Sequence, residues 1–354
     1  MKVIFFRHSL LNRGGDKMVL AYANHLARAG HEVIFYVGQV DTHFLISDKI
    51  TINRIQPMFK VATVFFALTH KFKADIVIAD IMVLAFLLNL LNTRRVLYFA
   101  QDYDVYYYRN PFSRLFVYLM YVMGMKFLKI PTLAVSDGLK ARLRQFHQDI
   151  YVVNNGVDPH IFFPRRAKEY LTLKEDRRAI LIHARNDTRK GTDLAVEVFR
   201  KMRDGGIELW VVGEYLQDPA IQVKIRNFGY VPENELARII SSADLLLYPS
   251  RHEGFGLLAL EAAACGCPVV TTRAVKILAH GHTAWMASKE NHAYFLEGIK
   301  TVLFERRFRE KIIEGGIHLA RQYNIRESGI QFERILKKLI GNNSHERQCH
   351  YSGI

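Results

Sequence analysis

Cysteine is scarce in this chain: Cys265, Cys267 and Cys349 are the only three in 354 residues, too few for a disulfide framework. Cys265 and Cys267 flank Gly266 in a predicted helix-to-strand turn and read as packing residues in a reducing interior rather than a metal pair. No clean window of about 20 apolar residues occurs, so no membrane-spanning helix is expected. The apolar run 81–91 is too short to span. It lies between two strand-like runs and reads as a crossover helix. The opening Met1-Lys-Val-Ile-Phe-Phe is already strand-like and lacks the separate charged and apolar regions of a secretion signal, so a cytoplasmic location is expected. Acidic residues are also in deficit. Lysine and arginine number 49 against 34 aspartates and glutamates, a net charge of +15 that calls for an anionic partner such as a nucleotide, a phospholipid headgroup or nucleic acid. Charge alone does not choose among them.

Half of the residues are hydrophobic, and the length exceeds what one core usually supports. Short apolar strands at 3–6, 33–37, 76–79 and 96–100 alternate with helical stretches. The pattern restarts after Asn154-Asn155-Gly156-Val157-Asp158 with strands at 180–183, 208–212 and 227–230 and a helix at 193–202. Such alternation predicts an α/β protein of two similar domains built on parallel sheets. The expected divisions are 1–153, 154–322, a helix at 323–340 crossing back to the first domain, and a frayed tail at 341–354.

Residues 243–249 form a short apolar run closed by proline, which predicts a strand buried on both faces. It delivers Glu253 into a loop. From Phe255 the small and apolar residues predict a helix packed closely on a sheet, stopped by Gly266 and Pro268. Amides at that helix start favour an anion, and Gly254 and Gly256 allow close approach, so a diphosphate is the expected guest. Glu261 lies further along, roughly 12 Å from Glu253 by helical rise, so the two carboxylates would serve different parts of one extended ligand. Arg185 and Lys190 occupy the loop after strand 179–183, where two cations could neutralise a leaving diphosphate without a metal. In the first loop, Arg13-Gly14-Gly15-Asp16 precedes a helix, and its glycine amides could cradle phosphate. Asp102-x-Asp104 also matches a common metal-binding tripeptide; with Arg185 and Lys190 present, no metal is expected. His8 and His252 read as structural or peripheral.

The stretch Ser250-Arg-His-Glu253-Gly254-Phe255-Gly256-Leu257 to Glu261, with its Ala-Cys-Gly-Cys-Pro-Val-Val ending, resembles the Glu-x7-Glu signature of the family 4 retaining glycosyltransferases. Asn155-Gly156-Val157-Asp158 followed by Phe162-Phe163-Pro164 resembles that family's interdomain entry, and other landmarks follow in family order through nearly the whole chain. The resemblance implies the GT-B architecture: two facing Rossmann-like domains with a deep interdomain cleft. It further implies transfer of a sugar from a nucleotide-diphosphate donor to a glycan or glycolipid hydroxyl, with retained configuration and no metal or other cofactor. By the same resemblance Glu253 holds the sugar, Arg185 and Lys190 hold the diphosphate, and Glu261 holds the ribose. Gly254, Phe255, Gly256 and Leu257 would complete the donor site, and the Gly14-Gly15 pair would stand against both the donor diphosphate and the acceptor.

Two landmarks are absent. No histidine stands near Gln101-Asp102, which instead resembles a variant among rhamnosyltransferase-like members and assigns both residues to the acceptor side, with Asp102 also expected among the catalytic residues beside Glu253, Arg185 and Lys190. The loop after 269–272 lacks the usual glycine pair. Cell-surface glycan synthesis fits the basic charge. A nucleotide-sugar 2-epimerase of the same architecture and a non-enzymatic nucleic-acid or membrane-binding protein are the alternatives, with no nucleic-acid partner expected on the first reading. Residues 112–130, rich in aromatics and methionine and edged by Arg114, Lys126 and Lys129, fit either a core helix or a segment lying at an anionic membrane surface. The basic pairs Arg94-Arg95, Arg142/Arg144 and Arg165-Arg166 could extend a positive face around it.

Overall fold

The computed structural model describes residues 1–354 except 58–59, 93–94, 204, 288–291 and 352–354, and leaves the side chains of 342–351 undescribed. Arg94 of the basic pair therefore lies outside the described residues. The chain divides into two compact units, Met1–Asn155 with Ile325–Ile354, and Gly156–Asn324.

The first unit runs β1 (Lys2–Leu10), α1 (Gly14–Arg28), β2 (Glu32–Val40), β3 (Ile50–Arg54), α2 (Lys60–Thr69), β4 (Ile76–Ala79), α3 (Met82–Leu91), β5 (Val96–Ala100), α4 (Pro111–Tyr121), β6 (Thr132–Ala134), α5 (Asp137–Leu143) and β7 (Ile150–Val152). Its strands lie in the order β3-β2-β1-β4-β5-β6-β7, all parallel. The second unit runs α6 (Lys168–Lys174), β8 (Arg178–Ala184), α7 (Thr192–Arg200), β9 (Ile207–Gly213), β10 (Lys224–Gly229), α8 (Glu233–Ser242), β11 (Leu245–Tyr248), α9 (Leu257–Ala264), β12 (Val269–Thr272), β13 (Trp285–Ala287), α10 (His292–Phe304) and α11 (Arg306–Arg321). Its sheet is β10-β9-β8-β11-β12-β13, again all parallel. In each sheet the chain order reverses once, between β1 and β4 in the first and between β8 and β11 in the second. The loops leaving those strands at their carboxyl ends are where open α/β sheets bind ligands.

Both sheets are buried on two faces, which is why their central strands read as continuous apolar runs rather than alternating ones. The last helix, α12 (Ile325–Tyr351), belongs to the first unit. Phe332 and Leu336, one turn apart, are fully buried, and Phe332 stacks on Tyr22 at 4.6 Å between centroids and lies 5.5 Å from Phe99. The helix continues to Tyr351. Among the described residues no helix is long and apolar enough to cross a membrane.

Glu333 joins α12 to α1. It accepts from His25 Nε2 at 2.9 Å and His31 Nε2 at 3.0 Å, and Lys337 Nζ lies 2.7 Å away. Burial pushes its carboxyl up, but the hydrogen bonds from Lys337, His31 and His25 outweigh that and hold it at about 2. Because the folded value lies below the ordinary 4.5, its stabilising contribution is complete above that pH and is lost as pH falls toward 2. Denaturation midpoints measured down this range should fall less steeply in Glu333→Gln than in the parent. Phe332→Ala should cost about 3–5 kcal/mol in urea denaturation, as expected for emptying a buried aromatic site.

Candidate functional site

The loops after β8 and β11, the two strands at the reversal of the second sheet, bring the sequence-predicted residues together. Glu253 is the hub. Lys190 Nζ donates to its Oε1 at 3.0 Å, and the hydroxyls of Tyr248 and Ser250 donate to the same oxygen at 2.6 Å each. Tyr248, the last residue of β11, is buried, and burial together with the Glu253 carboxylate pushes its phenol well above the ordinary range, so it stays a donor. Arg185 and Glu261 also act electrostatically on that phenol. Tyr248 thus marks the point around which Glu253, Arg185 and Glu261 gather, a role its place in an apolar run had concealed.

The two loops are bound by backbone as well as by charge. Arg251 N donates to Arg189 O at 2.7 Å, and the Arg251 guanidinium pairs with both oxygens of Asp193 at 2.7 and 2.9 Å. Thr192 Oγ1 accepts from Arg185 N at 3.0 Å, fixing the start of the cationic loop. Gly191 adopts φ +71°, and a Cβ there would lie 2.0 Å from the Pro249 carbonyl oxygen. Only glycine lets the Lys190 loop dock so closely on the Glu253 loop.

The helix after Glu253 begins at Leu257, two residues later than Phe255, because Gly256 adopts φ +96° and ends the loop in a left-handed turn. Glu253 therefore lies off the helical ladder, and the 12 Å rise does not describe its separation from Glu261. No side chain caps this helix start. Phe255 is buried edge-on against Tyr323 at 5.6 Å, so its ring is a packing element and its contribution to a ligand site is its backbone. Glu261 is buried within α9, while Gly254 and Leu257 stay half-buried at its entrance. His183, absent from the sequence-based candidates, is the penultimate residue of β8; burial and the charges of Arg185 and Lys190 push it down to about 3, so it is neutral near pH 7. Cys265 and Cys267 are buried free thiols, with Cys265 pushed up to about 12 by burial, as packing residues require.

In the first unit, Gly14 and Gly15 open α1 after β1, and Gly15 lies against Gln101 at the end of β5, within 3.7 Å of its Oε1 measured from a Cβ position. Asp102 is half-buried and its Oδ1 accepts from Tyr103 N at 2.8 Å. Asp104 turns inward: its Oδ2 accepts from Met82 N at 2.7 Å at the start of α3, and burial pushes it up to about 8. It is a structural acid. Sequence reading missed Arg7, buried within β1, whose Nη2 pairs with Asp16 at 2.5 Å and Asp80 at 2.7 Å. Asp16 Oδ2 also accepts from Leu11 N at 3.1 Å, so this ion cluster sets the loop carrying Gly14 and Gly15. A lone arginine following the apolar run 3–6 was the available signal. His8, with burial pushing it down to about 4, bonds Thr63 and is structural.

Comparison with known proteins identifies the family. A profile described as "Glycosyltransferase Family 4" matches residues 12–161, and one described as "Glycosyl transferases group 1" matches residues 165–319. The chain belongs to the family 4 glycosyltransferases. A probable sucrose-phosphate synthase of Thermosipho melanesiensis is 31% identical over 166 residues, covering 42% of this chain and 38% of the relative. The chain spans less than half the length of the curated relatives it first matches, 38%, 47% and 41% of three of them. The sucrose-phosphate synthase structure from Thermosynechococcus elongatus superposes with a TM-score of 0.80 at 17% identity, covering 97% of this chain and all of that one (100%). An Anabaena protein, HepE, in complex with UDP-glucose superposes at 0.76 with 15% identity, covering 96% of this chain and 100% of that one. These likenesses give this family 4 chain the GT-B fold.

The docking of the two loops is testable without a substrate. Gly191→Ala should lower stability by about 1–3 kcal/mol, since its backbone and its contact with Pro249 both resist a side chain. Gly205→Ala, with nothing within 4 Å of its added carbon, should change urea denaturation by less than about 0.5 kcal/mol.

Proposed function

We propose that the protein transfers a glycosyl group from a nucleoside-diphosphate sugar to a hydroxyl acceptor, with the anomeric configuration retained and without a divalent cation. The observation that carries this reading is the convergence of Lys190, Tyr248 and Ser250 on one oxygen of Glu253, beside the uncapped start of α9. Holding Oε1 in this way leaves Oε2 for the hydroxyls of the transferred sugar. Lys190 has three N–H donors and spends one on Glu253, so two remain for the diphosphate. Arg185 and the amides of α9 share that anion. In the step itself the bond from the anomeric carbon to the diphosphate oxygen breaks as charge builds on the leaving group. The acceptor oxygen bonds to the same carbon on the same face, and its proton passes to a diphosphate oxygen. Preorganised cations and dipoles aimed at that developing charge supply the rate enhancement, and no enzymic nucleophile is used.

Glu261, buried in the same helix, is assigned the ribose hydroxyls, and the edge of the first unit with Gly14, Gly15, Gln101 and Asp102 is assigned the acceptor. The acceptor is read as a cell-surface glycan or glycolipid such as lipopolysaccharide, capsule or a lipid-linked oligosaccharide, from the +15 charge. The UDP-glucose bound to the structural relative from Anabaena makes UDP-sugars the first donors to try.

A thermal-shift screen across UDP, GDP, dTDP and ADP sugars should show one nucleotide raising the melting temperature, since a ligand bound only to the folded form stabilises it. With that donor, Glu253→Gln should lower kcat by about 100-fold or more while the melting temperature of the free protein stays near the parent value. Near-normal turnover by a folded Glu253→Gln protein would overturn the assignment. A product formed from donor alone, without acceptor, would favour a 2-epimerase.

A further inference from the structure

The first unit carries an apolar surface that the sugar-transfer chemistry does not use. In α4, Val117 and Tyr121 turn inward, and Gly124 and Met125 continue that buried face along the π-helical turn Val122–Phe127. The opposite face is a stripe of large exposed side chains: Phe112, Leu115, Phe116, Leu119, Met123 and Phe127. Phe112 is 81% exposed and Phe127 63%, values that no packing within this unit accounts for. The structure thus turns residues 112–130 outward along one face, rather than burying them as a core helix.

The stripe is not isolated. α3 packs between α2 and α4, and α2 shows its own outward row at positions i, i+4 and i+7: Val61 at 77% exposure, Phe65 at 67%, and Leu68. Leu90 and Leu91 are exposed at the end of α3. Large apolar side chains exposed on three successively packed helices mark an interaction site more than the scattered apolar residues of ordinary surfaces do.

Charge identifies the partner. Residues 49–74, 81–101 and 105–136, which include α2, α3 and α4, contain no aspartate or glutamate at all, in a chain that has 34. Lys60, Lys71, Lys73, Arg114, Lys126 and Lys129 are exposed around the apolar rows. Aromatic and aliphatic side chains rimmed by lysine and arginine on a helix lying along the surface suit the boundary between anionic headgroups and acyl chains. A second copy of the chain suits it poorly. A two-fold contact through this face would set the acid-free basic rim against itself.

We propose that this face of α2, α3 and α4 docks on an anionic lipid bilayer, with Phe112, Phe116 and Phe127 entering the interface and Lys126 and Lys129 meeting headgroups. Docking of this kind does not depend on the transfer chemistry and is measured without turnover. The full chain is sedimented with phosphatidylcholine vesicles, with and without phosphatidylglycerol, at low and high salt. Binding to the anionic vesicles should exceed binding to the neutral ones by roughly tenfold or more and fall as salt rises. A Phe112→Ser, Phe116→Ser, Phe127→Ser variant should lose roughly tenfold or more of that binding, and Lys126→Gln with Lys129→Gln should remove most of the anionic preference. Melting temperature and nucleotide-induced thermal shift should remain as in the parent in both variants, since none of the five residues is buried. Equal binding to both vesicles, no binding to either, or a dimer in sedimentation velocity that the serine variant dissolves would overturn the proposal.

Discussion

The carboxylate of Glu253 is the constraint on which the second unit's site depends. Lys190, Tyr248 and Ser250 reach it from a loop, a strand end and a turn, and all three donate to one oxygen. A half-buried carboxylate without those donors would be costly, and a lysine without the carboxylate would have no fixed position. The contact therefore holds the β8–α7 and β11–α9 loops in register. Gly191 and Arg251 do the same through the backbone, so charge and packing enforce one arrangement.

The first unit repeats the logic with other residues. Its sheet also reverses order beside its first strand, and the loops leaving β1 and β4 are joined by Arg7 between Asp16 and Asp80. A buried arginine between two carboxylates is worth little as net stabilisation against an apolar replacement, yet removing either partner leaves an uncompensated charge. Its value lies in fixing where the Gly14-Gly15 turn stands. α12 closes the same unit from the far end of the sequence through Phe332 and Glu333.

Much of the fold was legible because parallel strands buried on both faces advertise themselves. Runs such as 76–79, 96–100 and 245–248 carry almost nothing but apolar residues, and the structure makes them β4, β5 and β11. Shorter strands escaped. β6, β7 and β13 have three residues each, too few for any periodicity to show, and β3 carries charged and polar residues at a sheet edge. The site was legible where chemistry is local: glycines beside a glutamate announce a loop and a helix start. Tyr248, His183, Arg7 and Asp80 were not, because each acquires its partner from a residue brought near only by folding. Tyr248 reads as one more apolar strand position until Glu253 curls back over it.

By itself the sequence determined the alternation of strands and helices, the two repeated halves, the family, and the acid-free basic stretches, because all of these are patterns of residue type along the chain. Only the tertiary structure decided which charges meet. It set Lys190 on Glu253 across 63 positions, placed Arg7 between two aspartates, and turned the aromatic face of α4 outward rather than into the core. Periodicity specifies that a helix has an apolar face, but whether that face is covered depends on the elements that pack around it, and those are chosen by the fold as a whole.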